Sequence, residues 1–179
     1  MTAQPAKHHE VPLDPQRILR ELPGRERTNF LAAYREALDG ARDPAGWRHL
    51  QRVLRLWSGM VIATNRPGFY DAQEAALTGT GGGLLLVGLH PTAPYPGVSY
   101  RPYLESSALR QLHGLQEHAF DMLVADPGQQ RHDPYEPVFS APTGVPRRRV
   151  ADVGDFGFIV FAVDEAAGLI RVFDLVWTG

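Results

Sequence analysis

The chain has 179 residues, 44% hydrophobic and 21% charged, which is enough apolar material for an ordinary core and too much for a disordered polymer. A net charge of -2 excludes bulk electrostatic coating of nucleic acid, and the absence of cysteine excludes disulfides, thiolate nucleophiles and cysteine-held metal centres. No apolar run reaches the roughly 18–20 residues that cross a bilayer, and Met1–Glu10 is polar, so a cytoplasmic protein without membrane contact is expected.

The two halves differ in charge and texture. Residues 1–80 carry 11 basic and 9 acidic side chains, whereas 81–179 carry 7 and 11. Helical periodicity fills the first half and β-rich runs the second, with Gly and Pro concentrated between them. His8 and His9 lie in an N-terminal stretch without pattern and receive no role. Asp14-Pro15 is a helix start, because an Asp side chain caps free N–H groups and Pro suits the first helical turn. Pro23-Gly24 ends that short helix. A second helix over Glu26–Asp39 places Phe30, Leu31, Tyr34 and Leu38 on one face. Asp43-Pro44 repeats the capping signal, and Trp47, Leu50, Leu54, Trp57 and Val61 then recur at spacings of 3 and 4. This seam is either bundle core or a surface that fills a partner's groove, with Leu54, Trp57 and Val61 as its contacts. Arg48, Arg52 and Arg55 on the same helix read as a solvated face or as phosphate contacts. Asn65–Gly68 is a turn, and Phe69–Leu77 a last helical segment.

Thr78–Gly83 has the glycine content of a phosphate-cradling loop, but it follows a helix and lacks a Gly-Lys-Ser/Thr ending, so it reads as linker. With the three prolines of His90–Gly97, this sets a Gly/Pro-rich linker at 79–96 between a helical region, 1–78, and a second unit, 97–179. Val98–Arg101 is a short strand candidate, and a helix carries Leu104, Ala108, Leu109, Leu112 and Leu115 on one face. A proline-spaced segment crosses to three strands: Arg147–Val153, Phe156–Val163 and Leu169–Trp177. The last two are joined by the tight turn Asp164–Gly168. The predicted architecture is therefore α plus α+β: a helical region followed by a small antiparallel sheet packed with one or two helices.

Few groups with catalytic chemistry stand together. His113 and His118 are five apart on a helix, His49 and His90 are isolated, and Ser106-Ser107 has no paired base, so neither a metal site nor a serine nucleophile is expected. Asp152 with Asp155, and Asp164 with Glu165, sit in or beside turns and read as turn formers. Arg147-Arg148-Arg149 heads a strand, and alternation sends Arg147 and Arg149 to one face and Arg148 to the other. This cluster is either edge-protecting or phosphate-binding.

The order strand, helix, antiparallel strands carries Val153-Gly154-Asp155-Phe156, Phe161-Ala162-Val163-Asp164 and Ile170-Arg171-Val172-Phe173-Asp174. Over about 97–179 it resembles the RelE/ParE-type toxin superfamily of bacterial toxin–antitoxin modules. The N-terminal stretch, with Leu13-Asp14-Pro15 and Asp43-Pro44, is similar to small helical proteins of uncharacterised function from high-GC bacteria. The resemblance implies metal-independent RNA cleavage by basic residues with no cofactor, and Arg147, Arg149, Arg171 and His132 are the residues available for it. Arg147, Arg148 and Arg149 would bind RNA. The pattern is incomplete: Gly157 stands where the superfamily commonly has an arginine, and Val176-Trp177-Thr178-Gly179 supplies no basic side chain. The expectation is a self-neutralised single chain whose antitoxin-like arm masks a toxin-like domain. The alternative is a non-enzymatic regulatory protein that binds protein or operator DNA. A long linker would also let two chains exchange arms into a homodimer.

Overall fold

The computed structural model describes residues 13–86, 100–112, 133–137, 140–153 and 157–177. His132, with His8, His9, His90, His113, His118 and Asp155, lies outside them. Among the described residues, four helices come first: α1 (Pro15–Glu21), α2 (Gly24–Gly40), α3 (Pro44–Thr64) and α4 (Phe69–Thr78). The Asp14 side chain accepts from the Gln16 N–H at 2.9 Å and that of Asp43 from the Gly46 N–H at 2.8 Å, so both predicted caps are made. Strands β1 (Gly83–Leu85) and β2 (Arg101–Glu105), helix α5 (Ser106–Leu112), and strands β3 (Ala141–Pro142), β4 (Arg148–Val153), β5 (Gly157–Asp164) and β6 (Leu169–Trp177) follow.

The class is α+β, but the sheet is mixed rather than antiparallel. Its order is β1-β2-β6-β5-β4-β3, and β2 runs parallel to β6, with Arg101 opposite Leu169 and Leu104 opposite Val172. The predicted strand–helix boundary moves with it. Leu104, read as the start of a helical face, is a strand residue, because Arg101–Glu105 finds a backbone partner in β6 and the helix begins only at Ser106. Pairing across the sheet here overrides the local 3.6-residue period.

Alternation along the strands separates two cores. On one face Val150, Phe158, Val160, Ala162, Phe173 and Val176 meet Ile18, Phe30, Leu56, Trp57, Met60 and Phe69 from α1–α4. On the other, Ala151, Ile159, Phe161, Val163 and Val172 pack with Leu104 and Ala108. The helical region thus lies on the sheet, and Leu54 and Trp57 are buried in the shared core with Val61 half-buried against it. Trp57 packs on Phe30, ring centroids 5.6 Å apart. Trp47, placed by its spacing at the head of the same seam, is 53% exposed, since the seam runs off the end of the packed surface.

The glycine run is packed against the sheet in the part that is described. A Cβ at Gly81 would lie 2.0 Å from Glu105 Oε2, so a larger residue there would have to displace the buried Glu105 side chain. Residues 83–85, within the span read as linker, then pair antiparallel with β2.

Candidate functional site

The four arginines singled out from the sequence do not form one surface. Arg147 is exposed but precedes the strand at φ 62°, so it leaves the alternation and donates through Nη2 to the Leu77 carbonyl, 3.0 Å away, in the last turn of α4. Arg148 faces the helices and its side chain has no exposure. Nη1 and Nη2 reach Glu26 Oε1 and Oε2 at 3.0 and 2.6 Å, Nη1 also reaches Gln73 Oε1, and Nε and Nη2 donate to Thr143. All five guanidinium N–H groups are therefore used. Arg149 points to the opposite face, bound to Ser140 and the Tyr135 carbonyl, with its guanidinium 5.2 Å from the Tyr135 ring centre. That tyrosine's hydroxyl donates to Glu165 Oε1, and burial together with this carboxylate pushes its pKa up to about 12. Arg171 bonds Asp164 Oδ2 at 2.9 Å and Glu105 Oε1 at 3.2 Å. Thus Arg148, Arg149 and Arg171 are buried and engaged, and of the Arg147–Arg149 cluster read from the sequence only Arg147 is exposed. The reason is that each sits on a strand flanked by other layers, where an unpaired cation would be costly.

The other candidates also have structural partners. Arg52 holds Asp152 Oδ2 at 3.1 Å and the Pro137 carbonyl at 2.8 Å, tying α3 to β4. Asp164 accepts from the Ala167 N–H within the predicted turn as well as from Arg171. Ser106 and Ser107 donate to the Gly82 and Phe173 carbonyls, so neither hydroxyl is poised as a nucleophile. At Gly157 a Cβ would lie 2.0 Å from the Val176 carbonyl oxygen, which excludes an arginine in this register. Among the described residues, no three His, Asp or Glu side chains gather as metal ligands, and no helix is long and apolar enough to cross a membrane.

A different site lies where β2 leaves β6. Their pairing ends at Leu104 and Val172, which strips the next stretch of β6 of its neighbour. Side chains replace it: Ser107 donates to the Phe173 carbonyl, Gln111 Oε1 accepts from the Leu175 N–H and Arg66 Nη1 donates to the Leu175 carbonyl. On the other edge of β6, Ala162 pairs with Arg171, Phe161 with Val172 and Val160 with Asp174, leaving Phe173 as the extra residue of a β-bulge. Ala162 and Val160 face α1–α4, so the bulge turns Phe173 and Asp174 together toward the helices.

Asp174 is 2% exposed, and its Oδ1 accepts from Arg66 Nη1 and Gln111 Nε2. Its Oδ2 is buried with no hydrogen-bond partner among the described residues. Burial raises its pKa against the opposing pull of Gln111 and Arg66. The carboxylate lines a cleft of about 230 Å3 with Arg66, Gly68, Phe69, Ser107 and Arg110. A neighbouring lobe of about 300 Å3 shares Gly68, Ser107 and Arg110 and adds Asp71 and Glu105, whose pKa burial also raises against Arg171. Arg110 is exposed and has no ion pair or hydrogen bond among the described residues. Sequence reading passed over this site because strict alternation puts Asp174 with Val172 and away from Arg171. The available signal was the spacing of three between Arg171 and Asp174 in an otherwise apolar strand, since two buried charges so spaced share a face only across a bulge.

Residues 6–92 match a family of unknown function (DUF6247), a span that contains α1–α4 and β1 and stops before β2. No curated protein and no solved structure matches the chain.

Proposed function

We propose that the protein is a self-neutralised, toxin–antitoxin-like single chain in which the helical region holds a RelE/ParE-like sheet domain silent toward RNA. The observation that carries this reading is the pair between Glu26 on α2 and Arg148 on β4. An arm that silences a basic RNA site needs to place an acid on its arginine and cover the surrounding surface, and Glu26 and the α1–α4 layer do both. Tethering assists, because a linked arm works at millimolar-scale effective concentration and a modest interface stays occupied.

A second reading is favoured by Arg149 and Arg171. Their partners Ser140, Tyr135, Asp164 and Glu105 all belong to the C-terminal half, so release of the arm frees neither of them. Release frees Arg148 from Glu26 and Arg147 from the Leu77 carbonyl, but Arg149 and Arg171 stay engaged, and on that ground the sheet domain serves as a scaffold that binds protein or operator DNA without cleavage. Growth of a bacterial host expressing residues 97–179, then with residues 1–86 supplied from a second plasmid, separates the two. Arrest relieved by the second plasmid is expected from the self-neutralised chain. A folded fragment that leaves growth unchanged would retire the toxin reading and leave the scaffold. Should the fragment not fold, the full chain carrying a protease site within 87–96 replaces it. RNA binding that appears after cutting and weakens with salt then tests the same point.

A further inference from the structure

The cleft beside the β6 bulge is independent of the masking argument and presents two unmet requirements of opposite sign. Asp174 Oδ2 is a buried acceptor without a donor among the described residues, where buried polar atoms ordinarily find one. Arg110, on the rim of the same cleft, is a cation without an ion pair among the described residues. The requirements are not met by the cleft's own groups. Arg66 is taken by Asp174 Oδ1 and the Leu175 carbonyl, and the Ser107 hydroxyl by the Phe173 carbonyl. At the mouth, Gly68 caps α4 without a side-chain hydrogen bond; the Phe69 N–H is taken by the Arg66 carbonyl, and the N–H groups of Tyr70 and Asp71 in the first turn, beside the Asp71 carboxylate of the neighbouring lobe, are left to meet negative charge. Phe69 and Phe173, ring centroids 5.5 Å apart, supply an apolar wall.

A cation alone would satisfy Asp174 and leave Arg110 without an anion, and an anion alone would do the reverse. A ligand with an ammonium and a carboxylate a few ångströms apart satisfies both. The volume agrees, since about 230 Å3 is roughly seven or eight waters' worth of space, the scale of a small metabolite. We propose that this cleft binds a small zwitterion of the α-amino acid class, its ammonium donating to Asp174 and its carboxylate held by Arg110 and the N-terminus of α4.

The test is thermal denaturation of the full chain with a panel of the L-amino acids, each at about 10 mM, beside propylamine and propionate as single-charge probes. At least one amino acid is expected to raise Tm in a saturable manner, with neither single-charge probe matching it. Arg110→Gln should weaken that amino acid's binding about tenfold or more, by the loss of a charge-assisted contact. Asp174→Asn should weaken it similarly by removing the anionic acceptor. Because Arg110 has no ion pair or hydrogen bond among the described residues, its variant reports on binding even if Asp174→Asn folds poorly. Three results would overturn the proposal: no amino acid shifting Tm, an equal shift from propylamine or propionate, or full binding retained in Arg110→Gln.

Discussion

Of the ion pairs that join the helical layer to the sheet, Arg148–Glu26 and Arg66–Asp174 are built with opposite polarity and opposite completeness. In the first, the sheet supplies the cation: Arg148 spends all five donors on Glu26, Gln73 and Thr143, with no exposed side-chain surface. In the second, the sheet supplies the anion. Asp174 meets Arg66 from the α3–α4 turn and Gln111 from α5 with one oxygen only, and a cleft opens beside it. A closed network specifies how layers dock and leaves nothing for a ligand, whereas an open one keeps an unsatisfied buried group beside a cleft. The difference separates the fastening between the layers from the candidate binding site more clearly than residue type does, since both contain an arginine and a carboxylate.

The largest effect should come from breaking the closed pair. Glu26→Ala leaves Arg148 buried and always charged, with no way to shed its proton, and the expected cost is about 3–5 kcal/mol in urea unfolding of the full chain. The double variant Glu26→Ala with Arg148→Met should recover most of that loss, because it removes both charges together. A double variant no more stable than Glu26→Ala would show that the pair is not a buried, coupled unit.

Arg66→Ala should cost less, about 1–3 kcal/mol, although it strips a donor from both Asp174 and the Leu175 carbonyl. Unlike Arg148, Asp174 can be neutralised, and its pKa is already raised by burial. The cost should therefore shrink as pH falls and Asp174 takes up a proton. Unfolding midpoints for this variant near pH 4 and pH 7 provide the check, and an equal loss at both would contradict the open-pair reading.

How far these pairs could be foreseen follows from what each depends on. The Asp14 and Asp43 caps, the Asp164–Gly168 turn and the β4–β6 runs are local, set by side chains reaching two or three residues away or by strict alternation, and they were legible. The parallel pairing of β2 with β6 was not, because its partners lie 68 residues apart and nothing near Arg101–Glu105 encodes the choice. The same holds for Arg148. Its sequence neighbours suggested a basic patch, and only the contact with Glu26, 122 residues away, shows it to be interior. At Asp174, alternation itself misled, since one extra residue in β6 reverses which face it occupies.

Asp174→Asn gives a smaller and more specific effect. A carboxyl whose pKa is raised in the fold makes the folded state bind more protons than the unfolded chain. Its contribution is thus fully present below the ordinary aspartate value and lost as pH rises through the raised one. Glu105 acts in the same direction, while Asp164 acts oppositely, because hydrogen bonds from Arg171 and the Ala167 N–H hold it low despite burial. Subtracting the Asp174→Asn profile from that of the wild type isolates the one group. The difference should favour the wild type most at low pH and decline toward neutrality, and a flat difference would show that Asp174 ionises normally.

The smallest expected change in stability belongs to Arg110→Gln, and the comparison depends on its being small. Arg110 is exposed, on α5, and bonded to none of the described residues, so its loss should move unfolding by no more than about 0.5 kcal/mol in the absence of ligand. A larger loss in urea unfolding would mean that Arg110 already supports the fold, and the second network would then be closed in the manner of the first. If stability is unchanged while the amino acid-dependent rise in Tm disappears, Arg110 contributes to the bound state alone. That pairing of results is what distinguishes a residue waiting for a ligand from one fastening two layers, and the same substitution at Arg148 could not produce it.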